Sequence, residues 1–353
     1  MTALHISALR QRLRGLGAQP VHEERVLRQW ARAQSQAHGR RRPEDFLPRT
    51  LRDALPALEV DLSALAVLRA DHAGADGARR LLVGLGDGRS VEAVLLPRGG
   101  VCVSSQVGCA VGCVFCMTGI GGLERQLGSA EIVAQVALAR SLRPVTKVVF
   151  MGMGEPAHNL DAVLEAIDLL GTGGGIGHKQ LVFSTVGDRR VFERLPQGRV
   201  KPALALSLHS TDAAVRARLL PRAPAIAPDE LVALGDAYAQ ATGYPMQVQW
   251  TLLDGVNDTA EEIEGLVRLL GGRYAVLNLI PYNAVDGLGW ARPAAERSAA
   301  MARELHRRGI LTKLRRSAGQ DVEAGCGQLR ARHEGGGQRV VPIARTRLAS
   351  SAS

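Results

Sequence analysis

Cys109, Cys113 and Cys116 set three thiols within eight residues in the pattern C-x3-C-x2-C. That spacing lets three thiolates converge on one metal centre from a single loop. A structural zinc site would be closed by a fourth ligand at matching spacing, and no His or further Cys follows nearby. An iron–sulfur cluster held by three cysteines leaves one iron free to bind a small molecule. Three inert buried thiols are the remaining reading, against which the tight spacing and the aromatic Phe115 between the last two both weigh. Two more cysteines complete the chain's five: Cys102, shortly before the triplet, and Cys326, flanked by Gly325 and Gly327 so that backbone bulk leaves its sulfur accessible.

These residues need a scaffold, and the 353-residue chain is long enough to bury a large core. Apolar residues at 46% and charged residues at 22% exclude wholesale disorder and collagen-like or coiled-coil architectures. The charge departs from average: 44 Lys+Arg against 34 Asp+Glu leave +10, which suits a polyanionic partner such as nucleic acid or an acidic membrane surface. An odd cysteine count without an apolar segment behind a basic N-terminal stretch argues against export, so a cytosolic, reducing setting is expected. The charge-poor run from Gly99 to Leu123 contains seven Gly and four Cys. Its poor helix propensity makes it a chemical loop and not a membrane anchor.

Residues 1–56 read as an Arg-rich helical accessory domain with Leu9, Leu13, Leu16, Val26, Leu27 and Trp30 on one buried face, interrupted at Arg40, Arg41, Arg42 and Pro43. Residues 57–98 read as a β-hairpin extension turning at Gly86-Asp87-Gly88. From Val101 short β-branched runs alternate with amphipathic stretches, about six βα units in all, which require right-handed crossovers and a parallel sheet. The fold class is therefore α/β, a partial (β/α)6 barrel spanning residues 99–332. Its polar motifs fall at the C-terminal ends of the strands, where such barrels place their chemistry. Residues 333–353, rich in Gly, Arg and Ser, read as a mobile basic tail.

The loop Cys109-x3-Cys113-x-Phe-Cys116 resembles the cluster loop of the radical S-adenosylmethionine (SAM) superfamily. Around it stand Cys102-Val-Ser-Ser-Gln-Val-Gly-Cys109, Met151-Gly-Met-Gly-Glu-Pro156, Ser184-Thr-Val-Gly187, Ser207-Leu-His209, Pro281-Tyr-Asn283 and Gly325-Cys326-Gly-Gln-Leu329. Together these resemble the RlmN/Cfr family of rRNA adenine methyltransferases from about Asp76 to Leu329. The resemblance implies a 4Fe-4S cluster on Cys109, Cys113 and Cys116, with SAM bound to its open iron and cleaved to a 5′-deoxyadenosyl radical. It implies cofactor contacts from Gly154, Glu155, Ser184, Ser207, Leu208, His209 and Asn283.

In the same resemblance Cys326 accepts a methyl group and Cys102 is the resolving thiol, so that a transient Cys102–Cys326 disulfide is expected. Adenine C2 is too electron-poor to attack a methyl sulfonium, whereas a thiolate can. Glu92, in Val91-Glu92-Ala93-Val94, corresponds to the carboxylate that removes the ring proton, the plainer reading being an outward-facing solvated strand residue. The implied substrate is an adenine of 23S rRNA and of tRNA, methylated at C2, with C8 as the alternative, and an electron donor such as flavodoxin is needed. No membrane attachment and a monomer are expected. A non-catalytic RNA-binding protein with a structural metal is the reading of another class. Phosphate contacts are expected from Arg40–Arg42 and the pairs Arg79-Arg80, Arg189-Arg190, Arg307-Arg308 and Arg315-Arg316, each alone also consistent with a solvated face. Only 3% aromatic residues argues against extended base-stacking platforms. After Arg42 the family's helical domain is shortened, and Gly99-Gly100 is an unusual lead-in to Cys102, so the catalytic half is better defined than the target.

Overall fold

The computed structural model describes residues 3–39, 42–285 and 287–331. Arg40, Arg41 and the expected tail from His333 lie outside these.

Four helices come first: α1 (Ile6–Gly15), α2 (Pro20–Ala31), α3 (Pro43–Phe46) and α4 (Arg49–Ser63). Leu9, Leu13, Val26, Leu27 and Trp30 are buried as their spacing requires, and Leu16 packs at the margin. The helical part does not stop near Pro56. α4 runs through that proline because Leu51, Leu55, Leu58 and Leu62 form one continuous buried stripe, which offsets the lost backbone hydrogen bond. The first helices lie against the barrel wall: Ile6 N–H donates to Ser129 Oγ at 2.8 Å, Ala130 N–H to Leu4 O at 3.1 Å, and Arg140 Nη1 to Ala31 O at 2.7 Å. A side chain at Gly128 would collide with the Leu4 carbonyl, so this glycine sets how closely the helices dock.

The extension has three strands, β1 (Val67–Ala73), β2 (Arg79–Gly84) and β3 (Ser90–Leu96), where the sequence pattern showed only the last two. β1 alternates between exposed and half-buried positions, so it carries no apolar run to mark it. β3 pairs antiparallel with β4 (Gly100–Cys102), which merges the extension into one ten-stranded sheet with the barrel. A separate small hairpin, β5 (Gln106–Gly108) and β6 (Leu123–Gln126), brackets the cysteine loop. Six βα units follow from β4: α5 (Ser129–Leu142); β7 (Lys147–Phe150) with α6 (Leu160–Gly171); β8 (Leu181–Thr185) with α7 (Arg189–Arg194); β9 (Ala203–Ser207) with α8 (Ala213–Leu219) and α9 (Pro228–Thr242); β10 (Met246–Leu252) with α10 (Ala260–Leu270); and β11 (Ala275–Pro281) with α11 (Ala295–Arg307). β12 (Thr312–Leu314) ends the sheet. The parallel order is β4-β7-β8-β9-β10-β11-β12, ending at β12 without returning to β4, as a partial barrel.

α7 and α8 escape the sequence pattern because each is under two or so turns long. Their caps were legible: Asp188 accepts from Arg190 N–H and Asp212 from Val215 N–H. The open side between β12 and the extension is crossed by residues 319–331. Gly319 N–H donates to Asp76 Oδ2 at 2.9 Å and Ala75 N–H to Asp321 Oδ2 at 2.8 Å, which tie this segment to the β1–β2 turn. Among the described residues no helix is long and apolar enough to cross a membrane.

At the β2–β3 turn, Asp87 accepts from Arg125 Nε at 2.6 Å and Arg89 Nη1 at 3.0 Å, and Arg125 also reaches Glu131 at the start of α5. Burial opposes ionisation of Asp87, but these arginines and the Arg89 N–H outweigh it and hold the carboxyl at about 2, below its ordinary 3.8. A depressed carboxylate contributes stability above its unfolded pKa and loses it as pH falls toward the folded one. Asp87→Asn should therefore lower unfolding free energy in urea by a constant amount at neutral pH. The gap to wild type should close between pH 3.8 and about 2, and a gap independent of pH would contradict this account.

Candidate active site

Strand register fixes which side chains share the inner face of the curved sheet. Cys102 pairs with Val149, Ser184 with Ala205, Ser207 with Gln249, and Gln249 with Asn278. Cys102, Ser184 and Ser207 thus line one lumen. The cysteine loop lies over its mouth, clamped from three sides: Val114 N–H donates to Leu219 O at 3.1 Å, Trp290 Nε1 to Val114 O at 2.8 Å, and Met117 N–H to Gly327 O at 2.8 Å.

All five cysteines are free thiols. The expected Cys102–Cys326 disulfide is absent here: both are free thiols, Cys102 buried in β4 and Cys326 exposed on the crossing segment. Burial, and then a negative charge on Cys326, push the Cys102 thiol up to about 12. Burial likewise pushes up Cys326, which Arg315 and Ser317 oppose and Cys116 reinforces. Cys326 therefore sits in an open recess: solvent reaches it, but protein surrounds it.

Cys109 is raised to about 12 by burial, and Cys113 well above its ordinary value by burial and by the charges of Cys116 and Cys109. Unligated, these thiols stay protonated. Among the described residues no three Cys, His, Asp or Glu groups are placed to hold a single metal ion. A 4Fe-4S cluster binds each cysteine through a different iron, so its ligands need not close on one point, and three soft donors in a dry pocket fit it better than zinc.

Gly154 adopts φ +103°, and a Cβ there would lie 2.6 Å from the Gln106 Cβ, so glycine alone fits. Glu155 is buried with its N–H on Gln106 Oε1 at 2.7 Å. Its carboxylate accepts from Ala157 N–H and Val186 N–H, both at 3.0 Å. Burial still pushes it up to about 7 against those bonds and the Thr185 hydroxyl. His209 has φ +63°, accepts from Thr251 N–H at Nδ1 (3.0 Å) and meets Phe115 edge-on at 4.9 Å. Burial and Arg216 push it down to about 3, which makes it neutral with its proton on Nε2. Leu208 is fully buried beside it.

Asn283 lies further from its expected use. Its Nδ2 donates to Ser317 Oγ at 2.8 Å and Cys326 O at 3.0 Å, so it holds the crossing segment. Glu92 is not the outward-facing strand residue of the plainer reading. It is fully buried, with Oε1 2.5 Å from Arg80 Nη1 and Oε2 accepting from Arg330 N–H at 2.7 Å and Ala331 N–H at 3.1 Å.

Sequence reasoning missed Arg216 and Asn257. Arg216 is buried behind the cluster loop, bonded to the carbonyls of Val186 and Ser207, with Nε unpartnered. Burial pushes it down to about 10 against the pull of Cys113 and Glu155. The missed signal was Asp212, a helix cap four residues ahead of it. Of the arginine pairs assigned to phosphate, three are engaged with carboxylates: Arg79 with Asp71 and Arg80 with Glu92, Arg189 with Glu230 and Arg190 with Asp188, Arg307 with Glu304 and Arg308 with Glu264. An acidic partner brought close by the fold cannot be read from a pair of adjacent arginines.

Residues 103–270 match the model of the Radical SAM superfamily. A probable RNA methyltransferase of Methylibium petroleiphilum is 70% identical, with 97% of this chain and 98% of that protein covered. Another, of Aromatoleum aromaticum, is 71% identical over 93% of both chains. Among solved structures, a radical SAM methyltransferase from Sphaerobacter thermophilus superposes with a TM-score of 0.78 at 33% identity, covering 94% of this chain and 98% of that one.

Asn257 is buried where the loop after β10 passes His209. Its Nδ2 donates to His209 O at 2.7 Å and Thr251 O at 2.8 Å, and its Oδ1 accepts from Leu253 N–H at 2.8 Å. Asn257→Ala strands these groups at about 1–3 kcal/mol each. Thermal unfolding should show a marked loss of stability, whereas an unchanged midpoint would mean the loop re-pairs elsewhere.

Proposed function

The chain belongs to the RlmN/Cfr family of radical SAM RNA methyltransferases, and from that membership we propose that it methylates C2 of an adenine in 23S rRNA, and in tRNA. Cys326 is the methyl carrier and Cys102 the resolving thiol. When bound, the family's 4Fe-4S cluster and SAM supply a methyl group and a 5′-deoxyadenosyl radical. Cys109, Cys113 and Cys116 would hold the cluster; Gly154, Glu155, Ser184, Ser207, Leu208 and His209 would contact SAM. Asn283 would do so after releasing Cys326.

The observations that support the reading are that the crossing segment lays Cys326 beside the cysteine loop, Met117 N–H donating to Gly327 O at 2.8 Å, and that Cys102 ends β4 on the face lining the lumen. Cys326 as a thiolate takes the methyl group, helped by Arg315. After hydrogen abstraction the methylene joins the adenine ring, and the base is held covalently on Cys326. Glu92 then takes the ring proton, for which it must first release the amides of Arg330 and Ala331, and the unpaired electron left on the ring would pass to the cluster. Cys102 attacks the Cys326 sulfur, the carbon–sulfur bond breaks, and a sulfur–sulfur bond forms in its place. The electron pair of the broken bond stays on the carbon, which gains a proton to become the product methyl. An external donor of the flavodoxin kind would supply the electrons that the cluster and the disulfide need, and the chain acts as a monomer in the cytoplasm.

Nucleosides from a strain lacking the gene, compared by mass spectrometry with its parent, should lack 2-methyladenosine from rRNA. Loss of 8-methyladenosine instead would move the reaction to C8, and no lost nucleoside would reject the function. Cys102→Ala should keep its iron, make no methylated product and accumulate a nuclease-sensitive protein–RNA adduct, which Cys102→Ala/Cys326→Ala should not form. A Cys102→Ala protein that turns over normally would reject the dual-cysteine mechanism.

A further inference from the structure

The open side of the lumen also carries positive charge that the mechanism leaves almost unused, with Lys147 half-buried and Lys313 and Arg315 exposed. Lys147 opens β7 opposite Gly100, on the face that carries Cys102 one pleat further along. Lys313 pairs with Asn278, and through Gln249 shares the face of Ser207. Arg315 follows Lys313 on the same face, its N–H on Leu279 O at 2.8 Å.

The three cations meet across the open side of the barrel, where burial and the charges of Arg315 and Lys313 disfavour protonation of Lys147. Arg315 in turn reaches Cys326. Elsewhere arginines such as Arg125, Arg189, Arg199 and Arg308 are paired with carboxylates. Among the described residues no carboxylate is bonded to Lys147, Lys313 or Arg315. Gln249 is only 5% exposed on this face, and its Nε2 has no partner. A buried amide donor without an acceptor, beside clustered cations without an anion, describes a site for an anionic ligand rich in acceptor oxygens.

We propose that Lys147, Lys313 and Arg315 bind the phosphate of the RNA nucleotide whose base reaches Cys326. The inference rests on the RNA methyltransferase reading and deepens it. A nucleotide carries its phosphates within one residue's length of its base, so a base at Cys326 brings them within reach of Arg315. Gln249 Nε2 then donates to the ribose or base of the same nucleotide. The lumen thus receives backbone as well as base, and holds the nucleotide by charge without the aromatic platforms the composition lacks.

The test uses the iron-loaded protein and, as probe, 23S rRNA from the strain lacking the gene, with affinity measured across a series of KCl concentrations. Lys147→Gln/Lys313→Gln should bind about threefold to tenfold more weakly at low salt, with the slope of log K against log[KCl] shallower by roughly 0.7–0.9 for each phosphate left without its cation. Iron content and SAM affinity should match wild type, and Lys147→Arg/Lys313→Arg should restore the slope. Unchanged affinity and slope in the glutamine variant overturn the inference, as does a loss confined to SAM affinity, which would make this the cofactor's carboxylate site. Wild-type protein that binds neither rRNA nor tRNA overturns the functional reading itself, and this inference with it.

Discussion

Desolvation is the constraint that organises this molecule. Five thiols, the Glu155 carboxyl, the His209 imidazole and the Arg216 guanidinium share one recess, and burial moves each of them toward its neutral form. Such a pocket is out of balance by itself. The donors are spaced and dried so that iron would settle the thiolates and a bound ammonium would settle Glu155. The barrel exists to keep water from doing so first. Helices pack the outer face of the parallel sheet and leave the inner face to polar groups. The cysteine loop, tied to α8, Trp290 and the last described residues, covers the mouth.

Much of this was legible in the sequence because the parts that make it are local. Strands such as Leu181–Thr185 and helices such as Ala260–Leu270 announce themselves through apolar runs and periodicity, and the cysteine triplet through spacing alone. What stayed hidden is what only chain crossing creates. The half-exposed β1 has no apolar pattern, and the burial of Glu92 depends on Arg80 and on two amides more than 230 residues downstream. The arginine pairs looked alike in sequence, and only folding separates those facing carboxylates from Arg315. Pro56 misleads in the other direction: a proline is a strong local signal, and the leucine stripe that overrides it becomes decisive only once it is packed.

The crossing segment carries Cys326, and several of its bonds reach side chains elsewhere in the chain. Asp76 accepts from Gly319, Thr118 donates to Leu329 O at 2.7 Å, Asn283 donates to Cys326 O, and Glu92 accepts from Arg330 and Ala331. Thr118 belongs to the cysteine loop, Asn283 to the loop after β11 and Glu92 to β3, while Asp76 sits on the β1–β2 turn of the extension. The segment is thereby registered to the cofactor residues and to the proposed base together, so that one displacement moves the carrier sulfur and frees the carboxylate.

A sheet that ends at β12 without joining β4 gives the barrel a seam. In a fully paired barrel, admitting anything as broad as a nucleic acid strand would mean unzipping a ladder whose bonds form and break cooperatively. Here the seam is laced by separate hydrogen bonds, each worth about 0.5–1.5 kcal/mol net and about 1.5–3 where a carboxylate accepts, and none of them is part of a strand pairing. A displacement of the crossing segment would therefore leave the strand pairing of the scaffold untouched while the sulfur it carries changes place.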